Sequence, residues 1–127
     1  MKKFIKIVTD ILLVIVLVIA AVLYIPRLMG LKTYKVLSGS MEPEYHVGSV
    51  VYVEKSSIDD IEVGDVITFY INDNTVVTHR VIDKDDDTES FRTKGDANEI
   101  EDGGSVAYDK VVGKVVLNVP YLGYILR

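Results

Sequence analysis

The chain has 127 residues, 14 of them basic and 19 acidic, for a net charge of −5. That length holds one domain beside a membrane segment and excludes a (β/α)8 barrel or a two-domain enzyme. An acidic chain without a basic stripe argues against nucleic acid as a partner. The absence of cysteine excludes disulfides, thiolate metal sites and a cysteine nucleophile, and two histidines are too few for a histidine-rich metal centre.

The first element is apolar. Lys2, Lys3 and Lys6 open the chain, and an unbroken apolar run follows from Ile11 to Ile25. Counted from Phe4, the segment has 22 residues, about 33 Å as a helix, which matches a hydrocarbon core of about 30 Å. Lys6 and Asp10 lie four apart on one helical face and can pair. Tyr24 stands where an interfacial aromatic belongs, and Pro26 marks the expected helix end. Ala20-Ala21 is followed by bulky residues, so no A-x-A-like cleavage site is present. The segment reads as a retained anchor. The basic residues on both flanks lean only slightly towards a cytoplasmic N-terminus. The expected organisation is a cytoplasmic N-terminus and transmembrane anchor over residues 1–26, then an extracytoplasmic β-rich domain over residues 27–127.

After Lys32 the pattern changes to short segments of period two. Residues 33–37, 49–54, 65–71, 75–82, 90–93 and 110–118 are rich in β-branched and aromatic side chains, as strands prefer. Val63-Gly64 reads as a turn, and Asn72-Asp73-Asn74 as a hairpin loop. Asp83–Asp87 is a charge run, expected to be a solvated loop. No helical stripe of useful length follows residue 32, so the expected domain is mainly β with six to eight strands. The end, Val119–Arg127, reads either as a closing strand or as a chain that stops short of a second hydrophobic segment.

Without cysteine, a nucleophile would be Ser, Thr or Lys. Ser38-Gly39-Ser40-Met41-Glu42-Pro43 follows a β-rich run and brings small residues to a strand end, where a serine can be presented beside free backbone N–H groups. The same residues also suit an ordinary turn. On a strand, Val77, His79 and Val81 share one face, so His79 sits among valines and needs a polar partner. It is either a hydrogen-bonded core histidine or a base. His46 lacks periodic context and reads as a loop residue. Asp96 follows Gly95, and Asp102 precedes Gly103-Gly104. Both suit turns, and either could accept a hydrogen bond from His79 Nδ1–H.

Four segments, in order behind an anchor, resemble signal peptidase I of the endoplasmic-reticulum type, found in eukaryotes, archaea and some Gram-positive bacteria. They are Ser38–Pro43, Val63–Ile67, Thr78-His79-Arg80-Val81, and Lys94–Asn98 with Asp102. The resemblance implies a signal-peptidase-like β catalytic domain. It implies Ser40 as nucleophile and His79 as general base, where the bacterial type has lysine. It implies Asp96 and Asp102 as acidic partners, their division of labour open. The Ser40 backbone N–H and the Ser38 hydroxyl would form the oxyanion hole. Preprotein signal peptides are the implied substrates, membrane lipid the surroundings and further complex subunits the implied partners, with no cofactor or metal required. The histidine must be neutral to act, so activity is expected to fall on acidification. The competing reading is a membrane-tethered β domain that binds extended peptides or serves as a non-catalytic assembly subunit.

Overall fold

A computed structural model describes residues 1–124. The chain divides into two compact units, Met1–Leu31 and Lys32–Arg127.

The first unit is one helix, α1 (Lys2–Leu28), long and apolar enough to cross a membrane. Lys6 Nζ meets Asp10 Oδ2 at 3.2 Å, one turn along. Pro26 does not end the helix, which runs on for two more residues. Proline's fixed φ suits a helix, and what it removes is one N–H. The stop comes at Gly30, with φ +84°. Gly30 N–H donates to Arg27 O at 3.0 Å and Leu31 N–H to Pro26 O at 2.9 Å. This paired return to the last turn is a glycine C-terminal cap, and it satisfies carbonyls that would otherwise lack partners.

The second unit is a seven-stranded antiparallel sheet in the order β1-β2-β7-β3-β4-β5-β6. Its strands are β1 (Lys32–Lys35), β2 (Val50–Glu54), β3 (Val66–Asn72), β4 (Thr75–Asp85), β5 (Ser90–Lys94), β6 (Val106–Ala107) and β7 (Val111–Val119). The fold is mainly β, and the strand segments read from the sequence lie within one to three residues of the observed ones. Two expectations change. The acidic run does not begin as a loop, because β4 continues to Asp85 with Asp83, Lys84 and Asp85 paired to Arg92, Phe91 and Ser90. Alternation lets a strand carry acids on its solvated face. The two-residue β6 is too short to show a period. The closing-strand reading also changes, since β7 ends at Val119 and Leu122–Tyr124 form a 3-10 turn; Ile125–Arg127 lie outside the described residues.

The β3–β4 hairpin turns where expected, with Asn74 N–H donating to Asn72 Oδ1 at 2.9 Å. Ile61, Ile67, Phe69, Val81, Phe91 and Val106 form the buried cluster beneath this part of the sheet. Two features prepare the site. First, β5 pairs with β4 only from Arg80 onwards, so Thr75–His79 have β3 on one side and no strand among the described residues on the other. Second, Val36 extends β1 by donating to Ser49 O at 2.9 Å and accepting from Gly48 N–H at 3.0 Å. The chain then leaves the sheet directly before Ser38.

Candidate active site

His79 stands on the core-facing side of β4, 8 % exposed, edge-on to Phe69 with ring centroids 6.4 Å apart. An imidazole there must have its nitrogens satisfied. Nδ1 lies 2.7 Å from Asp102 Oδ2, and Nε2 lies 3.1 Å from Ser40 Oγ. A carboxylate only accepts, so Nδ1 carries the hydrogen and Nε2 presents its lone pair to the Ser40 hydroxyl. The structure therefore brings Ser40, His79 and Asp102 into one hydrogen-bonded run. The residues come from a turn after β1, from β4 and from the loop after β5. Ser38 Oγ lies 3.2 Å from Ser40 Oγ.

Asp96 goes elsewhere. Its carboxylate accepts from Arg80 Nε at 2.8 Å and Arg80 Nη2 at 2.7 Å, a bidentate pair. Arg80 also donates from Nη1 to Gly64 O at 2.7 Å. The hydrogen bonds from Arg80 hold the Asp96 carboxyl below its ordinary value of 3.8, against the opposing effect of partial burial. The same bonds raise the guanidinium. Strand alternation explains the split. His79 and Arg80 are neighbours on β4 and point to opposite faces, so one acid cannot serve both in the same way.

The turn bearing Asp96 packs on the turn bearing Ser40. Ala97 N–H donates to Ser40 O at 2.8 Å, and Asp96 N–H points at Met41 Sδ at 3.4 Å. Gly95 fills the gap between them. A Cβ there would sit 2.6 Å from Ser40 O and 3.1 Å from His79 Nε2. His46, read as a loop residue, pairs with Glu42 in the exposed turn after Met41 and does not join the site.

Two cavities flank His79. One, of about 320 Å³, runs between Tyr34–Ser40 and Val76–His79 and is walled by Val36, Leu37, Met41, Val51 and Val76. The other, of about 480 Å³, lies on the Asp102 side against Phe69, Val106 and Lys110. The first borders the unpaired stretch of β4. An extended peptide could add there as a strand and place alternate side chains in apolar pockets. Among the described residues, no group of three or more His, Cys, Asp or Glu side chains is placed to hold a metal ion.

One residue of the site has no sequence signal. Thr93, on β5, donates from Oγ1 to the same Asp102 Oδ2 at 2.6 Å. Nothing in the sequence separates it from any other strand threonine.

Comparison with known proteins agrees with this architecture. A family described as "Signal peptidase, peptidase S26" matches residues 8–88. Signal peptidase I W of Bacillus subtilis (strain 168) is 38% identical over 120 aligned positions, covering 84% of this chain and 63% of that protein. The signal peptidase complex catalytic subunit SEC11C of Homo sapiens is 35% identical over 101 positions, covering 71% of this chain and 53% of that protein. SEC11 of Fusarium vanettenii is 33% identical over 101 positions, 71% and 59% respectively. The chain belongs to the signal peptidase S26 family. It spans between about half and two thirds of the length of these curated relatives.

Proposed function

We propose that this chain is a membrane-bound serine endopeptidase that removes N-terminal signal peptides from exported preproteins. The observation that carries the reading is the hydrogen-bonded run from Ser40 Oγ through His79 to Asp102, beside a peptide-sized cleft with an unpaired strand edge.

In this reading His79 Nε2 takes the Ser40 proton as Oγ attacks the scissile carbonyl. Asp102 holds the ring in the required tautomer and stabilises the imidazolium. The proton then passes from His79 to the leaving amine, and water hydrolyses the acyl-enzyme by the same route in reverse. The developing oxyanion is stabilised by the Ser40 backbone N–H and the Ser38 hydroxyl, each such donor being worth about 2.7–4 kcal/mol in the transition state. Asp96 does not contact the reacting groups. It acts as a positioning residue, tying Arg80 to the turn that supports Ser40. No metal or organic cofactor enters these steps.

Residues 1–26 serve as cytoplasmic end and anchor, and residues 27–127 work on the extracytoplasmic side of the cell membrane. Anchoring confines the enzyme to the layer that holds its substrate's apolar segment, which raises effective concentration. The relatives named as complex subunits support a further expectation, that this chain also works with partner subunits.

The test is cleavage of a signal-peptide-bearing preprotein in detergent or lipid, wild type against Ser40→Ala. Site-specific cleavage lost in the variant supports the reading. Equal cleavage by both, or tight signal-peptide binding without turnover by the wild type, overturns it.

A further inference from the structure

We propose that Thr93 is a positioning residue for Asp102, and that its hydroxyl, rather than its bulk, sets the orientation of the His79 ring. The inference rests on the catalytic reading above.

Asp102 stands at the end of a loop that leaves β5 after Lys94, and Gly103-Gly104 follow it in open space. Its side chain is 28% exposed. Such a carboxylate would sample several rotamers if nothing held it. Apart from the bond to His79 itself, Thr93 holds it at two points, one on the backbone and one on the carboxylate. Asp102 N–H donates to Thr93 O at 2.9 Å, and Thr93 Oγ1 donates to Asp102 Oδ2 at 2.6 Å. Oδ2 is also the oxygen that accepts from His79 Nδ1. Thr93 therefore holds the carboxylate in the rotamer that presents this oxygen to the imidazole.

The position of Thr93 is rigid. It pairs with Val81 in the β4–β5 ladder, two residues along β4 from His79 and on the same face. It is 1% exposed and shares its strand face with Phe91 of the core. A hydroxyl buried there is costly unless bonded. A β-branched apolar residue of the same shape would fill the same volume without the bond. Packing thus explains threonine's shape but not its oxygen, and the oxygen is spent on the carboxylate. The charge-assisted bond passes the order of the sheet to a loop residue that the sheet does not contain.

The test compares Thr93→Val, which keeps the shape, with Thr93→Ser, which keeps the hydroxyl. In preprotein cleavage, Thr93→Val is expected to lower kcat about 10–100-fold with KM unchanged. Thr93→Ser is expected to recover most of that rate, and the loss in Thr93→Val should persist at temperatures well below its own unfolding midpoint, where the variant is fully folded. In an Asp102→Asn background, Thr93→Val should have no further effect. A wild-type rate in Thr93→Val, a loss that Thr93→Ser does not rescue, or a loss that multiplies with Asp102→Asn overturns the proposal. A readout without substrate separates this from the catalytic reading. The His79 Nδ1–H proton resonance, assigned with a His46→Gln variant, should be slow to exchange in the wild type and in Thr93→Ser. It should be broadened in Thr93→Val. An unchanged resonance overturns the role of Thr93 even if no preprotein is cleaved.

Discussion

Arg80 grips Asp96 through two parallel hydrogen bonds of 2.8 and 2.7 Å, and the turn it grips is the one that hydrogen-bonds the Ser40 carbonyl. One β4 residue thus faces the candidate serine through its imidazole, and the next supports the same serine from behind.

The Arg80–Asp96 pair gives a pH-dependent prediction. The Asp96 carboxyl is held below 3.8 in the folded protein. A depressed carboxyl contributes stability that is fully present above its unfolded value and lost as pH falls through its folded value. Asp96→Asn should therefore destabilise the chain by about 1.5–3 kcal/mol, the usual worth of a hydrogen bond to a charged group. The difference from wild type should be constant between about pH 6 and 8 and should close below about pH 4. Urea unfolding of both proteins at stepped pH measures it.

Ser40, His79 and Asp102 should behave as one unit. Ser40→Ala and His79→Ala are each expected to remove nearly all turnover, and the double variant should be no worse than either alone. Asp102→Asn should lower kcat by about 100- to 10,000-fold, because the ring loses its fixed tautomer. Steady-state kinetics on a preprotein or a signal-sequence peptide decides whether the losses overlap or multiply.

Gly95→Ala tests the close approach of two turns. The added Cβ would meet the Ser40 carbonyl, a backbone atom that cannot rotate away. The turns must part, and with them Ser40 Oγ and His79 Nε2. An activity loss of about 100-fold is expected, with an overpacking cost of about 1–3 kcal/mol. Kinetics and thermal unfolding of the same preparation separate the two effects.

Phe91 tests the core under the site. It is fully buried and lies against Tyr108, with ring centroids 4.8 Å apart. Phe91→Ala should cost about 3–5 kcal/mol. Chemical denaturation of the variant checks the figure, and Phe91→Leu should recover more than half of it.

Much of the fold is legible in the sequence alone. The apolar segment, the period-two strands and the Asn72–Asn74 turn are local signals, written in side chains a few residues apart. The helix end lies beyond its sequence signal for a local reason too. Pro26 is a strong stop signal, but the Gly30 cap is what closes the helix. β6 and the extension of β4 to Asp85 depend on pairing partners, and the acids of that stretch mask the strand.

The sequence by itself determined the anchor segment, six of the seven strands, the mainly β class and the family, and it singled out the residues around which a site could form. Only the tertiary structure decided which aspartate meets which β4 residue. Asp96 and Asp102 are both acids beside glycine after β5, alike in local context. Their separation is spatial: adjacent residues on β4 face opposite sides of the sheet, Arg80 takes Asp96, and the returning loop brings Asp102 to His79. Thr93 was invisible for the same reason. A strand threonine acquires a partner only when the chain folds back on it, and no pattern along the sequence records which oxygen ends up 2.6 Å away.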